Sequence, residues 1–115
     1  MTEPLDQVQS WLSIAQAAEA LNLPPGKVKR LIEENHLIAI KRSGELSIPA
    51  EIIIDGEPLH SLRGTISVLL DSGFSLESAI NWLYTVDSSL KSTPMQSLLA
   101  GRKSEVRRLA QSLAL

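Results

Sequence analysis

The chain has no cysteine, and its 115 residues include only one Phe, one Tyr and two Trp. Without thiols it can form no disulfide, no thiolate zinc site and no cysteine nucleophile, which fits a reducing cytosol. Because aromatic rings are so few, the apolar 43% of the chain must build a mainly aliphatic core. At this length we expect one domain, or a small motif with a second helical unit, rather than two enzyme-sized domains.

Long apolar runs are also missing. No segment approaches the roughly eighteen continuous apolar residues that a membrane-spanning helix needs. The opening residues, MTEPLDQVQSW, hold two acids and no apolar run, which is unlike a secretory signal peptide. We therefore expect a cytoplasmic protein that does not bind membranes.

A general excess of positive charge is absent, since the formal net charge is −2. Residues 1–60 carry five Lys or Arg and nine Asp or Glu, whereas residues 61–115 carry six and four. This balance excludes attraction of the whole molecule to nucleic acid. All five cations of the acidic half lie within residues 27–42, so binding to nucleic acid must come from this local patch.

Two helices are predicted in the first third of the chain. Ser13 and Gln16 have the spacing of a capping box, and the apolar residues after them recur at helical intervals, which predicts a helix over 14–21. A short connection leads to PPGKVKRLIEEN, where a proline at the first helical position starts a second helix over 25–35. Asn35 suits a left-handed C-terminal cap of that helix.

The period of the pattern then changes from helix to strand. The runs LIAIK and ELSIP are short and β-prone, and Gly44 between them supplies a positive φ, which predicts a hairpin over 37–49. The next apolar run, residues 52–54, is either a further strand or a buried linker. Asp55 and Gly56 after it form a turn signal.

The second half of the chain is helical again. Four segments have apolar residues at helical spacing: SLRGTISVLLDSG, SLESAINWLYT, PMQSLLA and KSEVRRLAQSLAL. Ser75 is the predicted N-cap of the second segment, and Thr93 with Gln96 predicts a capping box before the third. The residues expected to face inward are Leu62, Ile66, Leu69, Leu70, Leu76, Ala79, Ile80, Leu83, Val106, Leu109, Ala110 and Leu113.

Two residues of this half need comment. Gly64 lies inside the first segment, where glycine disfavours a helix by about 1 kcal/mol relative to alanine. Trp82 suits either a partner-binding surface or the core, and in an amphipathic helix we expect the core.

The order helix, short turn, second helix and two-stranded hairpin is that of a winged helix-turn-helix. We expect a mainly α fold with a small β-hairpin wing, in which this unit (11–55) and a C-terminal helical bundle (56–115) share one core. The helix over 25–35 would be the recognition helix in the major groove of double-stranded DNA. The wing over 37–49 would contact the flanking backbone or the minor groove.

The predicted DNA-binding residues are the cations of these two elements: Lys27, Lys29, Arg30, Lys41 and Arg42. The alternative for the helix is a solvated face on which Glu33 and Glu34 balance the cations, and for the wing it is edge-strand charges that prevent aggregation. A further basic cluster in the last helix is either solvated or a secondary phosphate contact; its members are Arg102, Lys103, Arg107 and Arg108.

A resemblance supports this interpretation. The segment WLSIAQAAEALNLPPGKVKRLIEENHLIAIKRSGELSIP resembles the winged helix-turn-helix of MerR-like and excisionase-like proteins. Nearly the whole chain is similar to a small actinobacterial family of winged helix-turn-helix DNA-binding proteins with a helical C-terminal extension. That likeness is carried by NHLIAIKRSG, GTISVLLDSGFSLESAINWLYTVDSSL and TPMQSLLAGRKSEVRRLAQSLA. It implies a DNA-binding regulator or nucleoid-associated factor.

The second resemblance also implies regulation by a kinase. Members of that family are regarded as substrates of a membrane Ser/Thr kinase, with the acceptor threonine on a longer N-terminal tail. In this chain the corresponding candidate is Thr2, and a phosphate there would oppose DNA binding by like-charge repulsion. A second departure is Pro24-Pro25-Gly26, which stands where the broader family has a polar residue that can read bases.

The C-terminal half allows another function. SLESAINWLYTVDSSLKSTPMQSLLAGRKSEV is similar to the toxin-binding domain of some antitoxins, which implies a module that binds a protein partner or a second copy of the chain.

The sequence does not predict an enzyme. His36 and His60 lack the further ligands that a metal site would need, and His36 is expected to pack at the corner between helix and wing. No glycine-flanked nucleophile and no phosphate-binding loop can be identified. We therefore expect no cofactor and no catalysis.

Overall fold

The computed structural model describes residues 4–113. They form two compact units, one over Val8–Arg63 and one from Gly64 onward that also includes the residues up to Gln7. The predicted fold class, mainly α with a small β-hairpin wing, is confirmed. The predicted domain limits, 11–55 and 56–115, and the shared core stay predictions.

The helices are α1 (Ile14–Leu21), α2 (Pro25–Glu33), α3 (Leu62–Asp71), α4 (Leu76–Leu83), α5 (Pro94–Leu99) and α6 (Lys103–Ser112). The strands are β1 (Trp11–Leu12), β2 (Ile40–Arg42), β3 (Glu45–Pro49), β4 (Ile53–Ile54) and β5 (Glu57–Pro58). Short 3₁₀ helices cover Pro4–Gln7 and Ala50–Ile52.

The start of α1 confirms the predicted capping box. The Ser13 hydroxyl accepts a hydrogen bond from the Gln16 N–H at 3.1 Å, and the Gln16 side-chain oxygen accepts one from the Ser13 N–H at 2.8 Å. Two N–H groups that the helix itself leaves unpaired are thus satisfied by residues three positions apart. This local bonding explains why the sequence was sufficient to place the helix.

Two asparagines end the helices of this unit. Asn22 (φ 55°) follows α1, and Asn35 (φ 64°) follows α2. Each left-handed residue lets the next N–H reach back into the last turn: Leu23 donates to Ala18 at 3.0 Å, and His36 donates to the Leu31 carbonyl at 2.9 Å. The predicted cap at Asn35 is confirmed, and α2 ends two residues before the predicted limit of 35.

The wing is a three-stranded antiparallel sheet in the order β1-β3-β2. Arg42 pairs with Glu45, so the β2–β3 loop is Ser43-Gly44. Both loop residues have positive φ, at 51° and 83°, as a two-residue hairpin turn requires. Of the predicted wing over 37–49, residues 37–39 lie before β2, which begins at Ile40. The sequence also missed β1, which pairs with β3 through Trp11 and Pro49.

The uncertain segment after the wing is partly strand. A 3₁₀ helix over Ala50–Ile52 leads into β4, which pairs with β5 across a turn at Asp55 and Gly56. Both turn residues again have positive φ, at 52° and 79°. Ile52, at the end of the 3₁₀ helix, is fully buried in the core of its unit, whereas Ile54 on β4 is exposed to solvent.

The core of the first unit is aliphatic, as expected. Its buried apolar side chains come from α1, α2, the segment before β2, β3 with the residues after it, and the two ends of the unit: Val8, Ala17, Ala18, Leu21, Val28, Leu37, Ile38, Ile48, Ile52 and Leu62. Each large aliphatic side chain stabilises the fold by about 1.5–3 kcal/mol when fully buried. Packing of this kind outweighs the smaller contribution of any single helix cap, and it fixes the buried face of α2 against α1.

The second unit contains the four C-terminal helices. Ser75 caps α4, and Thr93 with Gln96 forms the predicted capping box of α5. Most of the residues expected to face inward are buried, but Leu76 and Leu113 are 43% and 37% exposed. Each lies at the end of its helix, where helical spacing overestimates burial because neighbouring turns are absent on one side.

The aromatic side chains of this unit differ from expectation. Trp82 is half-buried and makes an edge-to-face contact with Phe74, with ring centroids 6.4 Å apart. Tyr84 is the buried aromatic residue instead. Trp82 therefore belongs only in part to the core that was predicted for it.

Gly64 has a packing reason. A Cβ built on Gly64 would lie 2.9 Å from Arg107 Cζ and closer still to a terminal nitrogen of the same guanidinium. The Arg107 Nε also donates to the hydroxyl of the buried Thr65 at 3.4 Å. The glycine thus lets the α6 arginine lie against the backbone of α3.

Candidate nucleic-acid interface

Helix α2 presents its three cations to solvent. Lys27, Lys29 and Arg30 are exposed, while Val28 on the opposite side is fully buried. Burial of that side leaves the rest of the helix surface free. The arrangement meets the steric requirement for a helix that enters a groove.

The carboxylates of α2 do not pair with these cations. Among residues 4–113, no carboxylate oxygen lies within 4.0 Å of the charged groups of Lys27, Lys29 or Arg30. Glu33 and Glu34 have the helical spacing for such pairs, but their side chains are exposed and separate. The cations therefore keep their hydrogen-bond donors available to an anion from outside.

The first turn of α2 is open. Pro24 offers no side-chain cap, and a Cβ added at Gly26 would meet nothing within 4 Å. Gly26 lies one turn before Lys29 and Arg30, so no side chain shields the backbone on that part of the helix. Since a helix N-terminus favours negative charge, this turn suits a phosphate better than a base edge.

The wing places its two predicted cations on opposite faces. Lys41 pairs with Leu46 and Arg42 with Glu45, and successive strand residues point to opposite sides of a sheet. Lys41 shares its face with the buried Ile48, whereas Arg42 lies on the outer face. Both are exposed, and each presents its charge on a different face of the wing.

Arg42 contacts the ring of Trp11, a residue for which the sequence predicted no role at the interface. Its Cζ lies 4.4 Å from the centroid of Trp11. The register explains the contact, because Trp11 opposite Pro49 and Arg42 opposite Glu45 share one face of the sheet. No local motif could have revealed it, since β1 joins the wing only through its long-range pairing with β3.

Arg63, which is not among the predicted DNA-binding residues, stabilises the C-terminal end of α2. Arg63 Nε donates a hydrogen bond to the main-chain oxygen of Glu34 at 3.3 Å. A cation at this position also complements the negative end of the helix dipole. Arg63 thus holds the C-terminal end of α2, whereas the cations lie nearer to its N-terminal end.

The remaining candidates lie outside this interface. His36 is half-buried at the corner between α2 and the wing, as predicted. His60 Nε2 lies 3.4 Å from a Glu57 carboxylate oxygen, in a pair so exposed that it contributes little. Across the described range, no three His, Asp or Glu residues are grouped as a metal site would need. Thr2, the candidate phosphorylation site, lies outside the described residues.

The C-terminal basic cluster is divided by the fold. Arg102, Lys103 and Arg108 are exposed, whereas Arg107 is half-buried against α3.

No helix within residues 4–113 combines the length and the hydropathy needed to cross a bilayer.

The helix-turn-helix, the exposed cationic face of α2 and the three-stranded wing together define a winged helix-turn-helix protein of the DNA-binding class. Comparison with known families agrees with this. Residues 1–53 match the family described as "DNA-binding protein Rv2175c, wHTH domain", and residues 59–114 match the "Rv2175c C-terminal domain of unknown function".

Known relatives extend the match to nearly the full chain. The DNA-binding protein Rv2175c of Mycobacterium tuberculosis is 32% identical over an alignment covering 96% of this chain and 84% of the relative. The NMR structure of Rv2175c superposes with a TM-score of 0.82 at 30% identity, covering 92% of this chain and 82% of that one. The chain belongs to the Rv2175c family of DNA-binding proteins.

Proposed function

We propose that this protein binds double-stranded DNA as a transcriptional regulator or nucleoid-associated factor. In this proposal α2 enters the major groove and the β2–β3 wing contacts the flanking backbone or the minor groove. The residues that bind are Lys27, Lys29, Arg30, Lys41 and Arg42. DNA binding would place the protein in the nucleoid of the cytoplasm.

The observation that carries the proposal is the unpaired, exposed cationic face of α2. An arginine or lysine whose donors are free can bind a phosphate or a guanine edge without first breaking an internal ion pair. The open first turn adds the backbone N–H of Gly26, which suits phosphate, because Pro25 has no N–H and the Lys27 N–H already donates to the Pro24 carbonyl at 3.0 Å. Since the net charge is −2, affinity must come from this local face and must fall steeply with salt.

A binding series with charge-matched variants tests the proposal. We expect joint Lys29→Ala and Arg30→Ala replacement to weaken binding to a labelled duplex by at least about tenfold at low salt and to reduce the salt slope by up to about 2. The matched control replaces Arg102 and Lys103 by alanine, which removes equal charge from the other unit. Equal losses in both variants would contradict the assignment of α2 as the recognition helix.

The role of the bound protein needs a separate experiment. An unbiased selection of duplexes from a random pool distinguishes a regulator from a nucleoid factor, because only a regulator enriches a defined operator. Enrichment of AT-rich or bent DNA without a consensus would instead favour the architectural role.

Kinase regulation is a further part of the proposal. Thr2 is the candidate acceptor, and the support for it is the resemblance to kinase-substrate proteins. Incubation with a Ser/Thr kinase, followed by mass spectrometry of the wild type and of Thr2→Ala, would test it. Phosphate incorporation that is equal in the two proteins would exclude Thr2 as the acceptor.

The alternative function, a toxin-binding or dimerisation role for the C-terminal helices, stays a prediction. Val86 after α4 is 60% exposed and is therefore accessible to a partner. Light scattering over a range of concentrations would detect self-association, and Val86→Asp would abolish it if this residue lies in the contact. Co-purification of a stoichiometric protein without DNA would favour the alternative.

A further inference from the structure

The stacked pair Trp11 and Arg42 joins two parts of the chain that the sequence keeps apart. Arg42 ends β2, next to the hairpin turn, and its guanidinium carbon lies 4.4 Å from the centre of the Trp11 ring on β1. The side chain therefore runs back across β3 on the outer face of the sheet. This geometry fixes where the guanidinium is held in the free protein.

The stack leaves the arginine donors unused. The ring contact is made at the guanidinium carbon, and the five N–H donors of a guanidinium extend outward from that carbon in one plane. Within residues 4–113 the structure records no hydrogen bond or ion pair of the Arg42 side chain, although Glu45 is its cross-strand partner. The guanidinium contacts the ring of Trp11 and not the carboxylate of Glu45. Its N–H groups are therefore available to donate hydrogen bonds to an anion from solution.

The contact with the ring also reduces the conformational entropy that the Arg42 side chain loses when it binds a partner. A free arginine side chain has many rotamers, and ordering them on binding opposes association. Arg42 is already held by the ring, whereas Lys41, on the other face, has no aromatic contact among the described residues. The side chain of Arg42 is therefore more ordered before binding than the side chain of Lys41.

We propose that Trp11 is a positioning residue of the DNA interface, which holds the Arg42 guanidinium on the outer face of the wing so that its free edge binds a backbone phosphate. The inference rests on the proposed function, because it assumes that the wing meets DNA. It adds β1 to the interface and assigns Arg42 to phosphate rather than to a base edge.

A double-mutant cycle on DNA affinity tests the proposal. The probe is a fluorescein-labelled mixed-sequence duplex of about 20 base pairs, long enough for two helical turns, at about 50 mM salt. We expect Trp11→Leu to weaken binding about fivefold, as the loss of a partly exposed cation–π contact allows. In an Arg42→Ala background the same replacement should have no effect, because the group that it positions is gone.

Two controls separate positioning from a structural role. Trp11→Phe keeps a smaller ring and should restore part of the affinity if the protein remains folded by circular dichroism. In a Lys27→Ala background, Trp11→Leu should still cost about fivefold, since Lys27 does not depend on the ring. An equal effect of Trp11→Leu with and without Arg42 would overturn the inference.

The outcomes also separate this inference from the proposed function. If the wild type binds the duplex and Trp11→Leu binds equally well, only the role of Trp11 fails. If the wild type shows no binding to the duplex, the proposed function fails and the inference fails with it.

Discussion

The guanidinium carbon of Arg42 lies 4.4 Å from the centroid of the Trp11 ring, on the outer face of a three-stranded sheet. The contact links β2 to β1 across β3, although these two edge strands share no hydrogen bonds. It thus ties the end of the wing to the residues just before α1. The wing is held by side-chain contact as well as by its hairpin ladder.

The first prediction concerns this contact in the free protein. Arg42→Ala should lower the free energy of unfolding by about 0.5–1 kcal/mol, which is the range for an exposed cation–π pair. In a Trp82→Phe background, where Trp11 is the remaining tryptophan, it should also increase quenching of Trp11 fluorescence by acrylamide. The matched control is Lys41→Ala, on the opposite face. If the two alanine variants give the same quenching, the ring is not covered by Arg42 in solution.

The second prediction concerns Gly64. In most exposed helix positions, glycine to alanine stabilises by up to about 1 kcal/mol. Here the added methyl would displace the Arg107 guanidinium and break its hydrogen bond to Thr65. We expect Gly64→Ala to be neutral or destabilising by up to about 1 kcal/mol in urea unfolding. With Arg107→Ala already present, the same change should be stabilising, and a loss in that background would refute the packing explanation.

Gly26 provides the matched control for Gly64. It also lies in a helix, but a Cβ added there would meet nothing within 4 Å. Gly26→Ala should therefore stabilise the protein by about 0.5 kcal/mol. Opposite signs for the two glycines would show that contact with Arg107, and not helix propensity, decides the effect at position 64.

The third prediction compares two capping boxes that have the same hydrogen-bond pattern but differ in burial. Ser13 caps α1 at an accessible position, whereas Thr93 caps α5 and is almost fully buried. Ser13→Ala should cost about 1 kcal/mol. Thr93→Ala should cost more, about 2 kcal/mol, because it removes the acceptor of the Gln96 N–H in a hydrogen bond that is part-buried, whereas the Ser13 bond is exposed. Hydrogen exchange of the first-turn amides would measure each effect locally, and equal protection losses would contradict the role of burial.

The fourth prediction concerns the end of α2. Arg63→Ala removes the hydrogen bond to the Glu34 carbonyl and a favourable charge at the helix terminus, which should cost about 0.5 kcal/mol. Arg63→Lys keeps the charge and should recover part of the loss. The change should appear in the exchange rates of the last α2 amides. Unchanged rates in Arg63→Ala would mean that the Schellman bonds at Asn35 hold this end without it.

The sequence by itself placed the helices and turns with good accuracy. The box of Ser13 and Gln16, the cap at Asn35 and the turn at Gly44 were predicted and are present. These signals are reliable because each depends on hydrogen bonds or backbone angles within a few residues. The exposure of the α2 cations was also predictable, since helical spacing puts Lys27, Lys29 and Arg30 outside the apolar stripe of Val28, Leu31 and Ile32.

Only the tertiary structure decided which distant groups meet. The pairing of β1 with β3 brings Trp11 to Arg42, and the packing of α6 on α3 brings Arg107 to Gly64. The pleat of β2, once its register is fixed, separates Lys41 from Arg42. Local sequence patterns do not predict these contacts. Each contact depends on the burial of aliphatic side chains from distant parts of the chain, which brings separate elements together.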